Sequence, residues 1–417
     1  MEANPALHAP IEPMEITMNR SLPLLLVALT VPATAADTHP FSVRDMLAMD
    51  RISEPVVSPD GSRVAYSVRV TDMAANKGRY DVWLSSADGT TTRRLTQSEA
   101  NDNQPAWSAD GRSLYFVSTR SGGAQVWRIS LEGGEPEQVT RLSQDVEAFS
   151  VAPGDARLVV AMAVFPGKSP EETKKLQDEK AQSKASGMLY QQLFVRHWDG
   201  WANGTRNHVF AYDIEHATAT DLMPAMDADC PTRPFGDAKD WSVSPDGKTL
   251  VFAARDVGRT EAWSTNVDLF SVPLDGGAAP RRLTTSEATD SAPRHAPDGK
   301  RLAYLAMSRP GYEADRNRVV VRDLASGSEK SFDLRVGVGA HHDRSPDDLA
   351  WTPDSRELLT SADSLGEKPA FVMDANTGVA RVLVGDGHVT ATLPLGGARV
   401  LVARDSLLGP TFPLASP

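Results

Sequence analysis

The 417-residue sequence contains a single cysteine, Cys230. That excludes an intrachain disulfide and any cysteine-rich metal site. With Asp227, Asp229 and Pro231 around it, nothing lowers the thiol pKa. Cys230 therefore reads as a small, part-buried side chain and not as a nucleophile. Concentrated basic charge is missing too: the net charge is −12 and there is no run of Lys or Arg. This excludes nucleic acid as a partner, because phosphate binding takes a basic surface. Long apolar runs are also lacking. The clearest, Leu22 to Val31, is about half of the ~20 residues that cross a bilayer, so no membrane span is expected. What remains, 41% hydrophobic and 24% charged residues, is enough apolar material for a soluble globular core.

That short run has a role. Arg20 precedes it and Ala33-Thr34-Ala35 follows, the outline of a secretory signal peptide with a small-x-small cleavage site. Ahead of it Glu2, Glu12 and Glu15 stand where positive charge is expected. Translation is therefore expected to start at Met18, and the exported protein at Ala36 or Asp37. The reading is a leader and signal peptide over 1–36 and a mature chain over 37–417, periplasmic or secreted.

One phrase organises the mature chain. It occurs as Val57-Ser58-Pro59-Asp60-Gly61, Trp107-Ser108-Ala109-Asp110-Gly111, Val243-Ser244-Pro245-Asp246-Gly247, His295-Ala296-Pro297-Asp298-Gly299 and Trp351-Thr352-Pro353-Asp354-Ser355. Degraded copies sit at Val151 to Asp155 and Leu395-Gly396-Gly397. Proline presets φ, Asp bonds to nearby backbone N–H and Gly supplies the positive φ, so each copy is a turn between apolar strands. A second hairpin follows, with third strands such as Asp81 to Leu84, Gln125 to Ile129, Val209 to Tyr212 and Asp268 to Val272. Two hairpins per repeat of roughly 45–55 residues make a propeller blade, which must stack on neighbours to bury both faces. The expectation is an all-β, seven-bladed β-propeller with blades starting near residues 42, 104, 145, 238, 290, 346 and 388. The last blade reads as incomplete, with no second hairpin after Val400 to Ala403, so the chain reads as a fragment. A recurring aromatic at third strands (Trp83, Trp127, Phe210, Phe270, Phe371) reads as blade-to-blade core.

Blade three is interrupted over about 166–194. Ser169-Pro170-Glu171-Glu172 is a capping box opening a polar helix over Thr173 to Ser186. Glu171 and Glu172 either grip a peptide amino group or serve the helix dipole. Just after the insertion Arg196, His197, Trp198, Asp199 and Trp201 group a cation, an imidazole, a carboxylate and two indoles. They are the candidate substrate-binding residues, with aromatic grip and a carboxylate for an N-terminal ammonium. The other reading is an Arg–Asp pair and buried indoles pinning a loop between blades. His295 and His341-His342-Asp343 raise a metal reading. His295, however, occupies the repeat position of Trp107 and Trp351, and adjacent histidines on a strand point to opposite faces. No metal and no cofactor is expected.

Three stretches carry a resemblance. Phe41-Ser42-Val43-Arg44-Asp45-Met46-Leu47, running on through Arg51-Ile52-Ser53-Glu54-Pro55, resembles the entry of prolyl oligopeptidase-family serine peptidases. Phe194-Val195-Arg196-His197-Trp198-Asp199-Gly200-Trp201 with Arg206 to Phe210, and Glu261-Ala262-Trp263-Ser264-Thr265-Asn266-Val267-Asp268, resemble the dipeptidyl peptidase V and acylaminoacyl peptidase-like branch. The resemblance implies a propeller that gates and helps bind peptides for an α/β-hydrolase domain releasing dipeptides from N-termini. That hydrolase domain is not found here: no Gly-x-Ser-x-Gly elbow occurs, and Gly111-Arg112-Ser113 and Gly167-Lys168-Ser169 lack the closing glycine. No catalytic residue is assigned, and the chain alone is expected to hydrolyse no peptide. Peptides are the expected partners, and a homo-oligomer is left open. The alternatives are a stand-alone periplasmic TolB-like binding or scaffold propeller, and a propeller lyase acting on oligosaccharides through a channel metal.

Overall fold

Each repeated phrase closes a hairpin through bonds between its own residues. Ser58 Oγ donates to Asp60 Oδ1 at 2.6 Å, and the N–H groups of Ser62 and Arg63 donate to Asp60 Oδ1 and Ser58 Oγ at 3.0 and 2.9 Å. Gly61, at φ 67°, donates its N–H to the Ser58 carbonyl. The Ser58 hydroxyl first, then Ser62, holds the Asp60 carboxyl down at about 2. The bond recurs between Ser108 and Asp110, Ser244 and Asp246, and Thr352 and Asp354, where Ser355 takes the positive φ in place of glycine.

The computed structural model describes residues 39–336, 344–407 and 409–416. Its architecture is an all-β propeller of four-stranded antiparallel sheets, each wound in chain order: blade 1 (51–94), blade 2 (102–138), blade 3 (148–221), blade 4 (241–282), blade 5 (290–332) and blade 6 (350–384). The second and third strands are buried on both faces, so the apolar clusters lie between neighbouring sheets. Ala65, Val82 and Leu84 of blade 1 meet Leu114 and Phe116 of blade 2. Val251 and Leu269 of blade 4 meet Leu302 and Tyr304 of blade 5. Phe210, Phe270 and Phe371 of the aromatic column are fully or almost fully buried. The repeat also pins blade to blade. Trp107 Nε1 donates to the Val56 carbonyl of blade 1 at 3.1 Å, and Trp351 Nε1 to the Arg294 carbonyl of blade 5 at 2.9 Å.

Among the described residues six four-stranded blades are present, not the seven read from the repeat count. A further sheet has three strands, His388–Gly396, Arg399–Ser406 and Gly409–Ser416. The sequence reading ends at Ala403, whereas the backbone returns once more and pairs Gly409–Ser416 with Arg399–Ser406. No repeat phrase marks that strand, and among the described residues three strands make up this sheet. The three-stranded sheet sits between blades 6 and 1. Val389, Val400 and Val402 pack on Leu359 and Val372, while Leu395 and Leu401 pack on Val64, Tyr66 and Val68. All four strands of blade 1 come from 51–94, so packing and not strand exchange joins the two ends.

Blade 1 begins at Arg51, later than the expected residue 42, because Val43–Ala48 is a helix. Met46, Leu47 and Ala48 are good helix formers behind a Ser that suits a cap. In blade 3 the insertion does form a capped helix, Pro170–Gln182. Ser169 Oγ accepts from Glu172 N–H, and Glu172 accepts from Ser169 N–H. Glu171 accepts from the Ser169 hydroxyl at 3.0 Å. Both glutamates thus serve the helix start.

Candidate functional site

Successive strands of a blade run in opposite directions, so its links emerge on two faces. The Ser-Pro-Asp-Gly turns share one face. Links between second and third strands, and connections from each blade to the next, share the other. On that second face blades 3, 4 and 5 carry long links: 165–205, 255–267 and 307–317.

The blade 3 link ends in a small hairpin, Arg196–His197 paired with Gly200–Trp201, turned by Trp198 at φ 46°. It carries all five candidate residues, and all five are exposed. Trp198 is 66% exposed and Trp201 62%, so these indoles are not buried pins. Arg196 and Asp199 form no ion pair among the described residues. Arg196 instead bonds to the Trp198 carbonyl and lies over the Trp201 ring at 5.9 Å. His197 stands edge-on to Trp198 at 4.7 Å, Trp198 meets Phe235 at 5.5 Å, and Tyr190 stacks on Trp201 at 6.2 Å. Phe235 comes from the connection between blades 3 and 4, so the rings span two links.

The second specific stretch lies beside the first. Gly258–Trp263 forms a 3-10 helix, and Arg206 at the base of the blade 3 link ties it down. Arg206 grips Glu261 with two bonds of 2.9 and 2.6 Å and also reaches Asp227 and Asp229 at 2.8 and 2.9 Å. These carboxylates hold the guanidinium protonated against its burial. Arg259 donates to the Gln191 carbonyl, and Gly311 N–H donates to Thr265 Oγ1, which joins the blade 5 link. Between them opens a cleft of about 450 Å³, walled by Phe194, Trp263 and Tyr312 and bearing Arg255, Glu261 and Glu313. The sequence reading placed Arg196, His197, Trp198, Asp199 and Trp201 in a site, and none of the five lines this cleft. It missed Phe235, Arg255, Tyr312 and Glu313. Arg255, a cation directly after the buried apolar run Leu250 to Ala254, was the one available signal.

His295 is half-buried and exchanges hydrogen bonds with Ser242 of blade 4, its Nδ1 lying 3.0 Å from the hydroxyl. It therefore does the blade-pinning work of Trp107 and Trp351, and burial pushes its pKa down to about 4. His341, His342 and Asp343 lie outside the described residues. Among the described residues no three His, Cys, Asp or Glu side chains gather as metal ligands. Cys230 is fully buried, and burial pushes its thiol well up. No helix among the described residues is long and apolar enough to cross a membrane.

Comparison with known proteins places the chain. Residues 48–189 match the family described as "TolB beta propeller domain". Dipeptidyl-peptidase 5 of Porphyromonas gingivalis is 29% identical over 364 residues, covering 86% of this chain and 52% of that protein. The resemblance to prolyl oligopeptidase-family peptidases holds. The chain spans about half the length of the curated relatives it matches. Among solved structures, an acylaminoacyl peptidase in complex with Z-Gly-Gly-Phe-chloromethyl ketone superposes with a TM-score of 0.66 at 12% identity, over 89% of this chain and 51% of that one. The β-propeller domain of the Trilobed protease from Pyrococcus furiosus gives 0.58 at 12% identity, over 88% and 92%. At those identities the likeness is one of fold.

Proposed function

We propose that this chain is the substrate-gating propeller of an exported serine peptidase that removes dipeptides from peptide N-termini. The observation that carries it is the meeting of the two stretches most like the dipeptidyl peptidases. Phe194, which leads the 194–201 stretch, and Glu261 to Thr265 of the 261–268 stretch come from different blades and line one cleft on one face. A cleft of that kind suits an extended peptide: rings give apolar grip, and few polar groups orient it. Chemistry then belongs to a hydrolase domain, since the chain holds no nucleophile elbow.

The test uses the 417-residue chain. Purified alone, it should leave lysyl-alanyl chromogenic amides intact yet bind unlabelled peptides, read by tryptophan fluorescence. Hydrolysis above a mock preparation would overturn the division of labour, and absence of peptide binding would overturn the gating role. A stand-alone periplasmic scaffold, in the manner of TolB, is the second reading, supported by the family match over 48–189. It expects a protein partner on the same face and no affinity for short peptides.

A further inference from the structure

We infer that Arg255 makes the cleft a receptor for a carboxylate, so that the peptides it prefers carry an acidic group. The inference rests on the peptide-binding reading and adds to it a charge.

Charges along the cleft are unequally occupied. Glu261 is consumed by the two bonds from Arg206. Asp256, the neighbour of Arg255 in sequence, faces Arg282 at 3.7 Å. Arg259 is turned to the Gln191 carbonyl, and Arg309 lies over the Tyr312 ring at 4.1 Å. Among the described cations along the cleft, Arg255 alone is left over. It follows directly on the buried strand Thr249–Ala254, which holds its backbone in place, and its side chain is half-buried in the cleft wall. Its Nε is buried with no hydrogen-bond partner, and among the described residues the guanidinium makes no ion pair. An Nε so placed has lost water without gaining an acceptor, which is costly unless a ligand supplies one. The guanidinium fork matches a carboxylate with two parallel N–H···O bonds. Phe194, Trp263 and Tyr312 line the same cleft and offer apolar contact to the rest of the peptide. Glu313 shares the cleft and is exposed, but it is not paired to Arg255.

The experiment titrates the full chain with amidated pentapeptides in matched pairs, Glu or Gln at the first, second or third position, by calorimetry. In at least one pair the Glu peptide is expected to bind about 10-fold more tightly or better, as a charge-assisted bond supplies. Arg255→Gln should abolish that preference, and Arg255→Lys should restore part of it. Thermal melting of both variants checks that they fold. The inference falls if no pair shows a Glu preference, or if the preference survives in Arg255→Gln. If all peptides bind equally, only the carboxylate receptor is lost. If none binds at millimolar concentration, the peptide-binding reading falls with it.

Discussion

Replacing Asp290 by Asn is expected to stabilise the propeller above neutral pH and to do little in acid. Asp290 opens the first strand of blade 5 and is 3% exposed. Across the interface with blade 4 lies Asp268, which receives the Thr284 hydroxyl at 3.2 Å and faces Arg282 at 3.1 Å. Burial first, then the charges of Asp268 and Glu329, pushes the Asp290 carboxyl up to about 7 from 3.8. Blade 2 shows what is missing. Asp102 occupies the matching position, and Arg120 donates to it at 2.6 Å. Thr119 N–H bonds to the Asn101 carbonyl as Met307 N–H does to Thr289, so Ser308 stands where Arg120 would.

The sign follows from proton linkage. A carboxyl whose pKa is raised on folding contributes stability that is complete below the unfolded value and is lost as pH rises through about 7. Three units are worth about 4 kcal/mol in all, of which about 3 kcal/mol disappears between pH 5 and pH 8. For a folded body of this size, with an unfolding entropy of about 0.8 kcal/mol per kelvin, that is roughly 3–4 °C in Tm. Calorimetric melting of wild type and Asp290→Asn at pH 5 and pH 8 measures it. The variant should gain on wild type by that amount at pH 8 relative to pH 5. Ser308→Arg should recover part of the gain by supplying the missing cation. A Tm difference that does not change with pH would refute the reasoning.

Two further pairs of substitutions examine the ring and the rim. A Cβ on Gly61 would stand 1.7 Å from the Leu395 carbonyl oxygen of the three-stranded sheet, whereas Gly299, at nearly the same φ, has open space around it. Gly299→Ala should cost about 1 kcal/mol, the price of left-handed backbone alone. Gly61→Ala should cost about 3 kcal/mol or more and expose 388–416 to protease; equal melting shifts would mean that this sheet is not seated on blade 1. At the rim, Trp198→Ala and Trp201→Ala should change stability by less than about 0.5 kcal/mol, as exposed sites do, while weakening peptide binding several-fold. A large drop in Tm would restore the loop-pinning role for these indoles.

Much of the fold was legible because the Ser-Pro-Asp-Gly phrase closes on itself. Its bonds from Ser58 to Asp60, or from Ser244 to Asp246, span two residues, so the local sequence contains all the partners. The strands it joins then alternate or run apolar as blade stacking demands. The same logic explains what escaped. Gly409–Ser416 carries no turn phrase, and its pairing with Arg399–Ser406 depends on a return of the chain that nothing local announces. At the other end, Val43–Ala48 reads as the run-in to a strand because it precedes one, yet its residues favour helix.

The site divides along the same line. Trp198, Trp201 and Arg196 stand out in sequence because aromatic and charged residues crowd one short hairpin. Phe235 meets Trp198 from a separate connection, and Arg255, Tyr312 and Glu313, spread over two further links, come to one cleft only through the ring. No period or spacing could have joined them. One connection was nevertheless in view without being recognised. Two of the three stretches that carried the resemblance are joined by Arg206 of one and Glu261 of the other, 55 residues apart. Their bidentate pair, with Asp229 behind it, locks the 3-10 helix of blade 4 to the base of the blade 3 link. Breaking such a part-buried pair leaves its partner charge unsatisfied and is unfavourable, so a change in one stretch at this contact is felt by the other. Two stretches that look independent in sequence are one junction in the fold, and the cleft with Arg255 in its wall opens against it.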